Sequence, residues 1–431
     1  MNLKNQVFLG VKWTTASAIF LAVFAILKVS VLARFLDKED FGLMALVTFV
    51  LGFMEMFNDL GLTSAILHNQ KISKKEYSSL YWLNLFVSIA MYVVLLVITP
   101  AVSWFFDETE LSILIPLIGI NLIFSGIGRQ FKVKEQKKLF FKNISLVEIL
   151  ASLISLILAI LLAVEGYGVY SLVYSAVFQY MFSNSFFLLI GLRNEGLLFH
   201  FNFQETRHFL KIGIYQVGGQ VVNYFNRDVD VLLVGKFFST EALGGYSLAK
   251  QLVFRPAQLI NPILVKVASP ALALFQNDKN ALKNKYLQLV NFVSSINIPI
   301  YIFLIVFAPF VINIFYGDRF ENIVILVRIL SVYMIFRAIG NPVGSLLIAT
   351  GRTDIGFLWN LLLLFILPIF VVVGSLFGIV EVTVAITLAM IILFYPSWRF
   401  LILKLTGASF KEYIEAILFI KFTYFRKKKI V

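Results

Sequence analysis

Between residues 13 and 403 the chain is a succession of long apolar stretches, each closed by a short charged turn. A helix rises about 1.5 Å per residue, so about 20 mainly apolar residues cross the roughly 30 Å hydrocarbon layer of a bilayer. Twelve stretches meet that length, at 13–36, 41–66, 79–106, 111–131, 144–164, 168–192, 207–237, 242–270, 286–316, 322–350, 353–378 and 382–403. Composition agrees: 60% of residues are hydrophobic, 14% are charged and the mean hydropathy is +0.88, far outside the range of soluble domains. The first stretch is too long for the apolar core of a signal peptide and runs into ARFLDKED, with no small-residue cleavage site. It therefore reads as a helix of the mature protein. The prediction is an all-α polytopic membrane protein with about twelve transmembrane helices.

The turns alternate in charge. One set carries HNQKISKKEY (68–77), RQFKVKEQKKLFFK (129–142), Lys279, Lys283, Lys285 and the terminal run RKKK (426–429); the other is DKED, DETE, EGYG, STEA, YGDRFE and GIVE. Lys and Arg concentrate in the cytoplasmic loops of membrane proteins. Both termini are therefore expected in the cytoplasm. The net charge of +13 then reflects this asymmetry and the anionic inner leaflet, with no need for nucleic acid as a partner. The segment 406–431 reads as a basic tail lying at the interface.

One stretch recurs. ARFLDKEDFGLMAL (33–46) returns without a gap as GKFFSTEALGGYSL (235–248), keeping Phe35/Phe237, Glu39/Glu241, Gly42/Gly244 and Leu46/Leu248. Each copy sits at the outer end of the first helix of a six-helix half. The halves, 1–192 and 207–405, enter the membrane in the same direction, so a parallel pseudo-twofold repeat relates them. Repeats of that kind build carriers with a substrate site between two lobes. The connection RNEGLLFHFNFQET (193–206) reads as a cytoplasmic, flexible strap.

Seven basic residues fall inside the stretches: Lys28, Arg227, Lys250, Arg255, Lys266, Arg328 and Arg337. Facing lipid at mid-depth, each costs roughly 2.5–3.5 kcal/mol, so together about 20 kcal/mol. That exceeds a usual net stability of roughly 5–15 kcal/mol, and most of them must face protein or water. Arg255 and Arg337 lie near mid-depth, Lys28 and Lys250 nearer the outer half, and Lys266 close enough to an end to snorkel. Arg328 and Arg337 are half a turn out of phase, and Arg337 is the favoured cavity residue. Among acids, Glu55, Asp59 and Asp228 are candidates for coupling to H⁺ or Na⁺. Lys28 is one candidate counter-ion for Glu55 or Asp59, and Arg227 and Asp230, three apart, share a helix face. Gln216, Gln220, Asn223, Tyr224, Asn226, Asn58, Gln258 and Asn261 supply embedded hydrogen-bonding groups and an aromatic face. Arg227, Gln220, Asn223 and Asn261 join the cations Lys28, Lys250, Arg255 and Arg337 as the predicted substrate-binding set.

Signals of catalysis are missing. There is no cysteine, and the three histidines, His68, His200 and His208, have no metal-ligand spacing. No GxxxxGK[ST] loop occurs. No metal or cofactor is expected. A membrane glycosyltransferase or polymerase is disfavoured, because the outer turns are too short to hold sugars and catalytic acids.

Four segments carry a resemblance to a known family: ARFLDKEDFGLMAL, FNDLGLTSAILHNQ (57–70), FRPAQLINPILVKVASPALALFQND (254–278) and NPVGSLLIATGRTDIGFLWN (341–360). The chain resembles, along nearly its whole length, the polysaccharide exporters and lipid-linked oligosaccharide flippases of the multidrug/oligosaccharidyl-lipid/polysaccharide superfamily, most closely the colanic-acid-exporter-like branch. The resemblance implies twelve helices in two lobes and no enzymatic activity. It also implies an undecaprenyl-pyrophosphate-linked oligosaccharide as substrate, with polysaccharide polymerase or glycosyltransferases as partners. Cation-coupled drug export is the alternative within the superfamily; there acids are expected to dominate the cavity.

Overall fold

The computed structural model describes residues 3–69 and 71–418, without the side chains of 3–7, 212–216, 262–264, 266 and 267. The side chains of Gln216 and Lys266 and the basic run 426–429 therefore lie outside the described residues. Helices and the short connections between them make up the described residues. It begins with α1 (Leu3–Leu32), α2 (Lys38–Asn58), α3 (Leu62–His68), α4 (Lys74–Phe106), α5 (Leu111–Lys137), α6 (Phe141–Val164), α7 (Val169–Asn194) and α8 (Phe203–Phe237). It continues with α9 (Thr240–Ala273), α10 (Lys279–Tyr316), α11 (Val324–Gly340), α12 (Pro342–Ala349), α13 (Thr353–Ser375), α14 (Ile379–Ser397), α15 (Leu403–Thr406) and α16 (Phe410–Leu418).

Local chemistry sets the ends. Ser73 caps α4 by accepting from the Glu76 N–H (3.2 Å), while Glu76 accepts from the Ser73 N–H (2.7 Å), a reciprocal box that satisfies two otherwise orphaned donors. The Asn202 side chain caps α8 through the Gln204 N–H. The second predicted stretch, 41–66, is broken: Leu60 and Gly61 take φ of 46° and 68°, left-handed values that end α2 and start α3. Lys137 covers the carbonyls at the end of α3, donating to Ile66 O (3.1 Å) and Asn69 O.

Ten helices among the described residues are long and apolar enough to cross a membrane. Of the twelve predicted stretches, 207–237 and 242–270 are the two that fall short. As α8 and α9 they are long enough, at 35 and 34 residues; what they lack is uniform apolarity, because Arg227, Asp228, Asp230, Lys250 and Arg255 lie inside them.

Packing divides the chain into two units, residues 1–244 with 315–317, and 245–314 with 318–431. This differs from the repeat-based division at 193–206 because α8 packs on α2, α3 and α4. The Tyr224 hydroxyl donates to the Phe49 carbonyl, and Phe53 and Phe225 meet edge to face at 5.7 Å. In the first unit α5 is central, against α4 and α7, while α6 bridges α1 and α7. In the second, α14 packs on α11 and α13, and Tyr286, Leu346, Trp398, Ile402, Tyr413 and Ile417 form one core. That core holds α16, the described part of the predicted interfacial tail.

Within the first unit the duplicated motif meets itself. A Cβ on Gly42 would lie 1.9 Å from the Thr240 carbonyl oxygen, and one on Gly244 would lie 1.7 Å from that of Lys38. The offset that pairs Gly42 with Gly244 also pairs Lys38 with Thr240, so the contact is reciprocal about a local twofold. Only glycine allows backbones this close. Lys38 and Glu241 add an ion pair at 3.6 Å.

The connection 193–206, expected to be a flexible strap, is pinned. Its backbone N–H groups at Leu198 and Asn202 donate to the hydroxyls of Ser78 (3.1 Å) and Ser79 (3.0 Å) on α4. Glu195 pairs with Lys134 (2.8 Å) and Lys138. A non-helical segment lacks internal partners for its backbone donors, and here the serine hydroxyls of α4 supply them.

Candidate functional site

In the first unit, one helical turn separates Glu55 and Asp59 on α2, which would repel without a partner. The structure supplies separate partners. Asp59 pairs with Arg129 of α5 (3.7 Å) and accepts from the Thr63 hydroxyl (2.6 Å). Glu55 and Arg129 both lie close enough to Tyr180 of α7 to act on it electrostatically, and Glu55 Oε1 is buried without a partner. Glu55 and Asp228 both act electrostatically on Tyr224 of α8. Arg227 pairs with its neighbour Asp228 (2.7 Å) and lies 5.3 Å from the Tyr224 ring. Asp230 is buried. The result is a polar patch drawn from α2, α5, α7 and α8, in which Asp59 pairs with Arg129 and Asp228 with Arg227.

Lys28 is elsewhere. Its ammonium donates to Ser155 Oγ of α6 (3.0 Å), which donates on to the Ser175 carbonyl of α7 (2.8 Å). The expectation that Lys28 neutralises Glu55 or Asp59 is therefore corrected: Arg129 takes that place for Asp59. The predicted stretch 111–131 already holds Arg129; α5 runs on to Lys137, so most of the basic run read as a loop at 129–142 is helical. Asn58 is fully buried and donates to the Leu122 carbonyl (3.2 Å), an interhelical tie. Gln220 and Asn223 are exposed on α8.

The second unit holds a cation and aromatic cluster. Arg337 occupies the last turn of α11, where unpaired carbonyls favour positive charge. The helix stops there because Pro342 opens α12. The Arg337 guanidinium lies 5.4 Å from the Phe254 ring and 5.6 Å from the Tyr333 ring, and donates to the Tyr333 hydroxyl. The two rings stack at 6.0 Å and 20°. Lys250, itself buried, approaches the same Phe254 ring at 5.4 Å. Such contacts contribute about 0.5–2 kcal/mol each, more as water is excluded. At the break between α11 and α12, Asn341 donates to the Asn261 side chain (2.9 Å). Arg255 is half-buried beside Phe254 in sequence, and Gln258 is exposed.

Lys250 of α9 and Arg337 at the end of α11 thus meet at the Phe254 ring, while Asn261, further along α9, meets Asn341. Arg328 is exposed and donates to the Ile305 carbonyl (3.2 Å). Phe254, Tyr333, Asn341, Tyr180 and Arg129 complete the clusters and were not among the predicted residues. Tyr333 was within reach of sequence reasoning, since it stands four residues before Arg337 on one helix face.

Comparison with known proteins sets these clusters in context. Residues 31–325 match the family described as polysaccharide biosynthesis protein. The lipopolysaccharide biosynthesis protein WzxC of Escherichia coli K12 is 27% identical over 427 residues, covering 97% of this chain and 85% of that one. Among solved structures, the lipid II flippase MurJ in an inward closed conformation superposes with a TM-score of 0.75 at 16% identity, covering 95% of this chain and 90% of MurJ. An inward-facing multidrug resistance MATE transporter of the MOP superfamily gives 0.69 at 16% identity, covering 90% and 96%. The chain belongs to the polysaccharide biosynthesis protein family and is a multi-pass membrane protein with the fold of the MOP-superfamily transporters.

Proposed function

We propose that the protein is a flippase that moves an undecaprenyl-pyrophosphate-linked oligosaccharide, or polysaccharide repeat unit, from the inner to the outer leaflet of a bacterial inner membrane. It works by alternating access of two six-helix lobes, with both termini in the cytoplasm, and delivers to polymerase or glycosyltransferase partners. It performs no bond chemistry. The observation that carries this reading is the cluster of Lys250, Arg337, Phe254 and Tyr333 in a chain of this family.

The cluster offers what such a headgroup needs. A guanidinium fork and an ammonium suit pyrophosphate oxygens, and stacked rings offer a face for sugar. One contact between unit charges near 4 Å is worth about 4 kcal/mol at an effective dielectric of 20, before desolvation. Arg255, Arg227, Lys28, Gln220, Asn223 and Asn261 remain in the proposed binding set. Glu55, Asp59 and Asp228 are proposed for ion coupling, and Glu55 is the foremost because one oxygen lacks a partner. Coupling is not obligatory for drive. A substrate of charge about −2 moving outward through an inside-negative membrane gains roughly 4.6 kcal/mol per 100 mV.

Arg255→Gln and Arg337→Gln remove charge while keeping hydrogen-bonding capacity. Each is expected to abolish surface glycan with the protein still present in the membrane, and Arg→Lys at either site to lose less. Lys266→Gln is the comparison and is expected to remain active. Normal glycan export by the Arg255→Gln/Arg337→Gln double variant, at normal abundance, assigns these cations a structural role and removes the proposed site.

A further inference from the structure

The crossover between α7 and α8 alternates in a way that transport does not account for. Phe199, Phe201 and Phe203 are 97%, 46% and 55% exposed, whereas the residues between them are engaged with protein. His200 Nε2 lies 3.1 Å from Glu205, and Asn202 caps α8. Phe199 and Phe201 contact Trp82 and Phe86, which stand four residues apart on one face of α4, so 199 and 201 share one side and run into Phe203 at the start of α8. Both margins of the segment are held: the Trp82 indole donates to the Leu198 carbonyl (2.9 Å), and the Asn202 N–H reaches Ser79. The phenylalanines are therefore held on the outside of a fixed segment.

The position of that segment points to its occupant. Phe199 stacks on Trp82 (5.5 Å, 29°), and Phe201 meets Phe86 edge to face (5.7 Å, 85°). Phe86 begins the outward apolar stripe of α4, which continues through Ile89, Val93 and Val97, all exposed on one of the helices fit to span a membrane. The aromatic row is thus continuous with a lipid-facing surface. Beside it Lys71, Lys74, Lys75, Arg207 and Lys211 are exposed. Aromatic side chains flanked by cations are the chemistry of an anionic lipid interface.

We propose that residues 198–203 form a membrane-interface anchor, with Phe199, Phe201 and Phe203 seated among acyl chains below the headgroups and the neighbouring lysines and arginines at the level of the lipid phosphates. The anchor fixes the crossover to the bilayer surface. It rests on the membrane character of the chain and not on the identity of any transported substrate.

The chain has no cysteine, so Phe201→Cys in the full-length protein carries a single environment-sensitive fluorophore. In vesicles containing phosphatidylglycerol, the label is expected to lose fluorescence to lipids spin-labelled near the headgroup and to be spared by aqueous iodide. Asp278→Cys, on an exposed turn, is expected to show the reverse. Iodide quenching at position 201 equal to that at 278, with no quenching by lipid, overturns the anchor. Protection from both quenchers also overturns it, because a protein surface then covers the row. Unsubstituted protein supplies a second measurement: photoactivatable phosphatidylglycerol is expected to attach within 198–203, and absence of adducts there alongside adducts on α4 counts against the proposal.

Discussion

Arg328 and Arg337 share one stretch of chain and do different work. Pro309 in α10 cannot donate to the carbonyl four residues earlier, and that carbonyl, Ile305 O, is the one Arg328 covers at 3.2 Å. Arg328 thus satisfies a backbone acceptor freed by a proline within a membrane helix. Arg328→Ala is expected to lower stability by about 1–3 kcal/mol, the usual cost of leaving such a group unmade, read as a fall in thermal midpoint in detergent. In a Pro309→Ala background the helix regains its own donor, and the same substitution is expected to cost much less; equal losses in the two backgrounds refute the assignment. The half-turn phase difference between the two arginines was legible from their spacing. What each one meets was not, since Ile305 and Phe254 arrive from other helices.

At the scale of elements, the starts of α2 and α9 are locked by glycine. A methyl group at position 42 or 244 has no room against a carbonyl oxygen under 2 Å away, so Gly42→Ala or Gly244→Ala is expected to force the pair apart at a cost of about 1–3 kcal/mol or more. Cysteines placed at Lys38 and Glu241, an ion pair at 3.6 Å, are expected to be joined by a short bifunctional thiol reagent in the parent and not with alanine at 42. Joining at the same rate in both shows that the glycines are dispensable. A second element, α16, is tied to α10 by Lys283 and Glu412 at 2.8 Å. The Lys283 hydrogen bond, with the Ser409 N–H and hydroxyl, pulls the Glu412 carboxyl from its ordinary 4.5 down to about 2. A depressed carboxylate contributes fully above its unfolded value and loses that contribution as pH falls through the folded one. Docking of α16, followed by fluorescence of a label at Leu418→Cys, is expected to be level from pH 8 to about 5 and to weaken between about 4.5 and 2. Glu412→Gln is expected to abolish that acid transition, and the exposure of the pair keeps its amplitude small. The repeat was visible as a string of matching letters, yet its self-contact required two distant helix starts to be brought together.

For the whole molecule, the alternation of basic and acidic turns makes a testable topology. With the natural chain free of cysteine, Lys138→Cys is expected to be protected from an impermeant reagent in intact cells and Asp107→Cys to be labelled; the opposite pattern inverts the protein in the membrane. Apolar length determined the class of fold and, to within a few residues, most helix positions, because a bilayer imposes one spacing on every span. Charge placement showed that the embedded basic residues must face protein or water, since ionised groups are tolerated in a membrane only there. Tertiary structure decided the partners: Arg129 and not Lys28 at Asp59, Ser155 at Lys28, Tyr333 and Phe254 at Arg337, and a pinned crossover in place of a loose strap. Those choices depend on which helix faces turn toward each other. Helix packing fixes that through side chains far apart in the chain, so no local pattern of residues records it.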